Sequence, residues 1–122
     1  MDWKAKHFTL NEFKCKCGRP DCDSAQIHPQ FAGMMDMARE YAGIPFVINS
    51  GTRCRAHNTI VGGSETSSHL TGYAADIRCR NGQERLAIVR GLLRAEIYRI
   101  GIARGFVHAD IDPDKMQSMW VY

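Results

Sequence analysis

The chain has 122 residues, of which 44% are hydrophobic and 24% are charged. This length fits one domain, so we expect residues 1–122 to form a single folded unit. The composition is that of a globular protein and excludes wholesale disorder. The net charge of +3 is a mild excess. Because binding to phosphates calls for a clustered basic face, we predict no interaction with nucleic acid.

The sequence carries no targeting signal. The segment 1–7 places charges where a signal peptide needs its apolar stretch to begin. No apolar run approaches the roughly 18 residues of a membrane span, so we predict no membrane insertion. We therefore expect a protein that is made in the cytoplasm without a signal peptide. We also predict a monomer. The five cysteines are an odd number, which argues against a complete disulfide framework.

The first third of the chain predicts a capped turn, a loop and a helix. Thr9 and Glu12 have the spacing of a capping box, which indicates a short helical turn. Residues 14–28 are rich in Cys, Gly, Pro and Asp and predict an irregular loop. Apolar residues then recur at helical spacing over Pro29–Ala42, and the proline suits the first turn of a helix.

The rest of the chain predicts short strands around one further helix. A long polar stretch at 51–72 is typical of a functional loop. The second amphipathic helix is predicted from Gln83 to Ile100, with Gly101 as its stop. Strands are predicted at 46–48, 74–79, 106–111 and 119–122. This order indicates an α+β fold with a small antiparallel sheet and helices packed on one face.

Three residues have the types needed for a metal site. His69 ends the polar loop, Asp76 lies on the following predicted strand, and His108 lies in another. Two imidazoles and one carboxylate form a three-ligand zinc site with an open fourth position, as hydrolytic zinc requires. A histidine and an aspartate at this spacing are more often structural, and a single histidine such as His108 is more often a hydrogen-bonded core residue.

The surrounding pattern resembles a known family. The segment 67–77 matches the motif S-x-H-x-x-G-x-A-x-D of zinc D-Ala-D-Ala carboxypeptidases. This family includes VanY-type enzymes and phage endolysins, within the wider lysostaphin and hedgehog-like superfamily. Every fixed position of the motif is present, as Ser67, His69, Gly72, Ala74 and Asp76.

Further family motifs match on both sides of this segment. Residues 8–13 resemble the opening F-[ST]-x-x-E-F, and 48–54 resemble I-x-S-G-[YT]-R-[CS]. Residues 57–63 resemble h-N-x-x-V-G-G, and 106–110 resemble the final H-[VA]-D strand. The resemblance covers about residues 8–112 and implies a hedgehog and D-Ala-D-Ala peptidase-like fold.

Site roles follow from this resemblance. It implies that His69, Asp76 and His108 hold one catalytic zinc ion. Arg53 matches the arginine that faces the substrate, where it would bind a peptide carboxylate and stabilise the oxyanion formed when zinc-activated water attacks the amide. The alternative for Arg53 is a surface salt bridge. Ser67 is expected either to bind near the metal or the substrate, or to form a turn with its hydroxyl.

The general base is not placed where many relatives carry it. Relatives have an acidic residue three positions before the last ligand, or a second histidine two before it, and these positions here are Gly105 and Phe106. The local candidate is Asp110, two residues after the last ligand and on the same face of a strand. Asp110 is equally compatible with orienting that ligand or with binding the metal itself. Asp112 and Glu65 are more distant candidates.

The cysteines leave several interpretations open. Three thiols within eight residues are compatible with a second, structural zinc whose fourth ligand is Cys54 or His28. A disulfide formed outside the cell and free thiols are the alternatives. Cys79 is expected to be a small buried apolar residue. The three closely spaced thiols are Cys15, Cys17 and Cys22.

The resemblance implies a zinc peptidase that hydrolyses an amide bond of peptidoglycan stem peptides. Both a D,D-carboxypeptidase and an endolysin-type endopeptidase fit, from a phage, a prophage or a bacterium. We expect such an enzyme to act on the cell wall, in the periplasm or outside the cell, after release. The alternative is a catalytically silent zinc-binding module that binds the wall, because position 105 lacks an acidic residue.

Overall fold

The computed structural model describes residues 5–122, and Met1–Lys4, which begin the charged N-terminal segment, lie outside the described residues. Within the described part, the helices are α1 Pro29–Ala42, α2 Arg55–Ile60 and α3 Gly82–Arg94. The strands are β1 Ile48–Ser50, β2 Ala74–Arg78, β3 Arg99–Ile102, β4 Phe106–Asp110 and β5 Ser118–Val121. Short 3₁₀ turns cover Leu10–Phe13 and Ser68–Leu70. None of the described helices has the length and apolar content that crossing a membrane requires.

The strands form one mixed sheet in the order β1-β2-β4-β3-β5. Neighbouring strands are antiparallel except for β3 and β5, which are parallel. The predicted α+β class is confirmed, but the prediction of an antiparallel sheet is wrong for this one pair. The two edges of β4 are already paired with β2 and β3. Strand β5 therefore pairs with the free edge of β3, and it runs parallel to that strand.

One face of the sheet forms the hydrophobic core together with α1 and α3. Side chains alternate between the two faces of a strand, so every second residue of the central strands points towards the helices. The predicted packing of helices on one face is confirmed. The largest shared core residues are Phe31 and Met35 of α1, Ile88 and Leu92 of α3, and Ile77 and Val107 of the sheet.

The predicted N-terminal turn and first helix are confirmed. The Thr9 backbone N–H donates a hydrogen bond of 2.6 Å to the Glu12 carboxylate, as in a capping box. Helix α1 has the predicted limits, with proline in its first turn and Gly43 as its C-cap in the left-handed region. Both ends were predictable because their signals are local.

Helix α3 ends earlier than predicted. It stops at Arg94, and Glu96 adopts the left-handed conformation with φ of 65°. The Ile97 N–H then bonds to the Leu92 carbonyl at 2.9 Å, and the Glu96 N–H bonds to the Leu93 carbonyl at 3.0 Å. These are the two bonds of a Schellman motif, here formed without glycine. Because position 96 is not a glycine, the sequence carries no signal for the end of this helix or for the start of β3.

Two other elements differ from the prediction. Helix α2 lies inside the polar stretch predicted as a loop, and the Cys54 sulfur caps it by accepting a hydrogen bond from the His57 N–H at 3.4 Å. Strand β1 begins at Ile48 instead of ending there. Its pairing places Ser50 opposite Asp76 of β2, which brings this end of β1 to the polar face of the sheet.

Helices α1 and α3 approach each other closely at Gly91. A Cβ atom at this position would lie 2.3 Å from the Ala38 carbonyl oxygen and 2.9 Å from the Ala42 Cβ. A Cβ atom at Gly33, in the interior of α1, would have no neighbour within 4 Å. The two helical glycines therefore differ in the space around them.

We expect Gly91→Ala to lower the free energy of unfolding by about 1–3 kcal/mol, because the added methyl group forces the two helices apart. Gly33→Ala is the matched control, and it should raise that free energy by about 0.5–1 kcal/mol because alanine favours helix and meets open space. Urea denaturation followed by circular dichroism measures both changes. Equal stability of Gly91→Ala and the parent would contradict the close helix contact.

Candidate metal centre

The face of the sheet away from the helices carries the candidate ligands. Asp76 of β2 and His108 of β4 are directly paired across the antiparallel ladder, so both lie on this face. His69 comes from the 3₁₀ turn Ser68–Leu70, and its N–H donates a 3.2 Å hydrogen bond to the Ser67 hydroxyl. All three ligand candidates are buried.

The three side chains meet at one carboxylate oxygen. Asp76 Oδ1 lies 3.3 Å from His69 Nε2 and 3.0 Å from His108 Nδ1. The centres of the two imidazole rings are 5.1 Å apart and the ring planes are inclined at 69°. The three potential ligand atoms lie within 4.8 Å of one another. The structure therefore brings together the three residues that the sequence proposed as ligands.

The outer nitrogen of each imidazole is held by an acceptor. His69 Nδ1 donates to the Gly51 carbonyl oxygen at 2.6 Å, and His108 Nε2 faces Asp110 Oδ2 at 2.7 Å. A carbonyl only accepts hydrogen bonds, so His69 Nδ1 carries a proton, and Nε2 is the nitrogen that faces the cluster. Metal-binding histidines in proteins are held in this way through the nitrogen that does not bind the metal.

The contacts also set the ionisation of the cluster. Burial opposes the charge on Asp76, but hydrogen bonds from His108 and His69 outweigh it and hold the pKa of this carboxyl well below its usual value. Burial likewise opposes the charge on His108, yet its bonds to Asp110 and Asp76 raise its pKa. The bond with His108 also lowers the pKa of Asp110 against the effect of burial.

The donor set fits zinc. Two imidazole nitrogens and one carboxylate oxygen are the ligands of many catalytic zinc sites, which keep a fourth position open. A cavity of about 360 Å³ lies beside the three side chains and supplies space at that position. Its walls also contain Arg53, Arg99, Lys115, Trp120 and Tyr122.

Arg53 lies in the cavity wall and binds the ligand cluster directly. Its Nη2 donates to Asp76 Oδ2 at 3.3 Å, the oxygen that the histidines do not contact. Its Nε donates to the Ser50 hydroxyl at 3.0 Å, and its Nη1 donates to Asn58 Oδ1 at 3.2 Å. Only 13% of the Arg53 side chain is exposed, so the alternative of a surface salt bridge does not describe it.

Asn58 positions the Arg53 side chain by a hydrogen bond, and Gly63 leaves the space that this contact needs. The Asn58 side chain donates to the Ser64 carbonyl at 2.9 Å, which turns its oxygen towards Arg53. A Cβ atom at Gly63 would lie 2.1 Å from that oxygen and 3.0 Å from Arg53 Nη1. Glycine at position 63 is therefore required for this close approach.

Asp110 contacts the outer side of His108 and not the side that faces the cluster. Its Oδ1 accepts hydrogen bonds from Arg99 Nε at 2.8 Å and from the Asp112 N–H at 3.1 Å, while its Oδ2 faces His108. The side chain is almost completely buried. Of the roles considered for Asp110, this geometry favours orientation of His108 over proton transfer or metal binding.

Ser67 and Asp112 have structural partners. Ser67 accepts the hydrogen bond that begins the turn carrying His69, which favours the turn-forming role. Asp112 accepts a 2.7 Å hydrogen bond from the buried Ser68 hydroxyl and lies 3.6 Å from Lys115. Asp112 and Glu65 are not among the residues that line the cavity.

Sequence reasoning missed several supporting residues. The helical pattern places Arg99 at the end of the second predicted helix, but in the structure it begins β3, bonds to Asp110 and lies over the Trp120 ring at 4.8 Å. The Trp120 ring centre is 5.5 Å from that of His108. Asn58 and Gly63 are fixed positions of the motif matched at residues 57–63, but sequence reasoning assigns them no role. That motif is the signal that could have identified them.

We expect these contacts to make the stability of the chelator-treated protein depend on pH. The folded pKa of His108 is raised, so its contribution is complete below the unfolded value and is lost as the pH rises through the folded value. The pKa values of Asp76 and Asp110 are lowered, so their contribution is complete above the unfolded values and is lost as the pH falls. The contribution is therefore greatest between about pH 4 and pH 6.5, the ordinary carboxyl and imidazole values.

The free energy of unfolding, measured by denaturant titration across this range, checks the prediction. His108→Gln should flatten the decline above about pH 6.5, because it removes the imidazole that titrates there. His57→Gln on α2 is the matched control and should leave the decline unchanged. An identical decline in His108→Gln and the parent would contradict the assignment.

A comparison with protein-family models adds independent information. The model of the family Peptidase M15 matches residues 6–110, a range that includes Arg53, His69, Asp76 and His108. The comparison with curated proteins found no match. The family match covers most of the chain and confirms the resemblance seen in the motifs. The chain therefore belongs to the peptidase M15 family and is a metallopeptidase.

Proposed function

We propose that this metallopeptidase hydrolyses an amide bond of peptidoglycan stem peptides, using zinc held by His69, Asp76 and His108. The observation that carries the proposal is the convergence of these side chains beside a cavity whose wall also contains Arg53. The family match supports peptidase chemistry. When bound, zinc supplies a Lewis acid that polarises a carbonyl group and lowers the pKa of water.

Arg53 is the proposed substrate-binding cation. A guanidinium group has five N–H donors, and its bonds to Ser50, Asn58 and Asp76 use one on each nitrogen. The remaining donors on the terminal nitrogens are available to a carboxylate of the peptide or to the negative charge that develops on the attacked carbonyl oxygen. Because Arg53 is held on three sides, little reorganisation is needed when a substrate binds.

Asp110 is proposed as a positioning residue. By holding His108 Nε2 it directs Nδ1 towards Asp76, and Arg99 and the Asp112 N–H keep the Asp110 carboxylate itself in place. A carboxylate bonded to the outer nitrogen of a metal-binding histidine also makes that histidine a more basic ligand.

The cavity walls suit a short acidic peptide. Phe106, Trp120 and Tyr122 contribute aromatic surface, and the ring centres of Phe106 and Tyr122 are 5.3 Å apart. Arg53 and Lys115 contribute cations. Apolar surface with a few polar groups that fix orientation is the usual composition of a ligand site. Stem peptides combine alanine methyl groups with carboxylates, which these two surfaces complement.

We further propose that the enzyme reaches the cell wall after release from the cytoplasm, as phage or prophage endolysins do. The net charge of +3 would favour its approach to an anionic wall. Both removal of a terminal D-Ala and cleavage within the stem peptide are compatible with the cavity.

A second candidate is a catalytically silent module that binds zinc and the wall. Within residues 5–122, the carboxylates that line the cavity are those of Asp76 and Asp110, and both are engaged by cationic partners. A general base with a free carboxylate is therefore not among the described residues of this wall, and this observation favours the silent alternative.

We expect the purified protein to contain zinc and to lose about one equivalent in His69→Ala and in His108→Ala, because a three-ligand site does not hold zinc tightly with two ligands. His57→Ala is a control that removes a histidine outside the possible metal-binding groups of the described residues. Elemental analysis in chelator-free buffer measures the metal content. A parent protein without metal would contradict the zinc site.

Mass spectrometry of muropeptides after incubation with the protein tests the reaction and identifies the bond that is cut. We expect Asp110→Asn to reduce turnover by about 10–100-fold and to weaken zinc binding together with it, as loss of an orienting group does. Asp114→Asn makes the same chemical change outside the cavity and should leave both unchanged.

Other results have distinct meanings. A turnover loss in Asp110→Asn and Asp110→Ala with unchanged zinc affinity would identify Asp110 as the general base, whose removal costs about 10²–10⁴-fold. Unchanged turnover in both variants would exclude either role. An absence of products from the zinc-loaded parent would favour the binding module.

A further inference from the structure

Four of the five cysteines form a second cluster that the proposed function does not use. The sulfur atoms of Cys15, Cys17, Cys22 and Cys54 all lie within 4.8 Å of one another. They come from two parts of the chain, the irregular segment 14–28 and the residue that precedes α2. We infer that these four thiolates bind a structural zinc ion.

The separation of the sulfurs fits tetrahedral coordination. Zinc–sulfur bonds of about 2.3 Å at tetrahedral angles place two sulfurs about 3.8 Å apart. The sulfurs of Cys15 and Cys54 are 3.8 Å apart. A disulfide would require about 2.05 Å, and all five cysteines are free in this structure. Four sulfur ligands leave no open coordination position, so the site would be structural.

Backbone groups are arranged to support negative charge on three of the sulfurs. The Cys54 N–H donates to the Cys15 sulfur at 3.3 Å, and the Arg19 N–H donates to the Cys17 sulfur at 3.4 Å. The His57 N–H donates to the Cys54 sulfur at 3.4 Å. Such N–H···S bonds stabilise thiolate ligands in metal sites, and they are an observation independent of the sulfur positions.

Charge and chain geometry favour the same assignment. Gly18, with φ of 69°, turns the chain after Cys17 and thereby directs the Arg19 N–H to its sulfur. Four thiolates around one Zn²⁺ leave a net negative charge. Lys14 and Lys16 flank Cys15 and offset part of that charge, whereas Arg19 pairs with Asp21 at 3.4 Å.

Cys54, and not His28, is the fourth ligand. The Cys54 sulfur is buried within the cluster. The His28 ring instead stacks on Tyr73 with a centroid distance of 5.0 Å, and its Nδ1 accepts a 3.3 Å hydrogen bond from the Gln30 N–H at the start of α1. The thiolate site therefore links residues 15–22 to the chain at the beginning of α2.

This link lies next to the cavity residue Arg53. Cys54 follows Arg53 directly and caps α2, the helix that carries Asn58. The segment that supplies the other three cysteines contains no helix or strand, so it has few backbone hydrogen bonds of its own to hold it. A metal with ligands in both parts would stabilise the segment and the Arg53–Asn58 arrangement together.

Elemental analysis of the full chain tests this inference, which does not rest on the proposed function. We expect Cys17→Ser and Cys22→Ser each to lose about one zinc equivalent relative to the parent. Cys79→Ser is the matched control, because Cys79 is buried in the core outside the cluster, and it should retain all zinc. Cobalt added to the chelator-treated His108→Ala variant should show strong thiolate-to-cobalt absorption, since that variant keeps the four thiols.

The parent protein provides a test that does not depend on folding of the variants. Titration with a mercurial thiol reagent, followed with a coloured zinc indicator, should release about one zinc as four thiols react. Equal zinc content in the parent and both cysteine variants would overturn the inference, as would a Cys15–Cys54 disulfide found by peptide mapping without reductant. Retention of all zinc by His108→Ala, together with loss in Cys17→Ser, would uphold this site and overturn the proposed catalytic one.

Discussion

The buried carboxylate of Asp76 is the group on which the rest of the site depends. One of its oxygens is shared by His69 and His108, and the other accepts a hydrogen bond from Arg53. A carboxylate removed from water is costly unless charges and hydrogen bonds replace its hydration. The two imidazoles and the guanidinium supply this replacement. The contacts that stabilise the charge therefore also assemble a ligand set for a metal ion.

The sheet makes this arrangement compatible with a small hydrophobic core. Because strand residues alternate between faces, β2 and β4 bury Ile77 and Val107 under the helices and present Asp76 and His108 on the other side. Pairing of β1 with β2 then brings Arg53, which follows β1 in the chain, to the same polar face. Cys54, one of the four residues of the thiol cluster, directly follows Arg53 in the chain. A metal bound by the thiols would therefore also fix the backbone next to Arg53.

Features with local causes were predictable from the sequence. The limits of α1 follow from its apolar spacing, its first-turn proline and its C-terminal glycine. The end of α3 was not predictable, because Glu96 adopts the left-handed conformation that usually signals itself by glycine. Consequently β3 was missed, and with it the contact between Arg99 and Asp110.

The sequence by itself determined the fold class, the family resemblance and the candidate ligands, because these depend on residue types and spacings along the chain. The tertiary structure decided what Asp110 contacts and which residue completes the cluster of thiols. Asp110 reaches only the outer nitrogen of His108, and Cys54 joins cysteines more than 30 residues away in sequence. Both outcomes depend on strand register and on packing between remote segments, which no local pattern encodes.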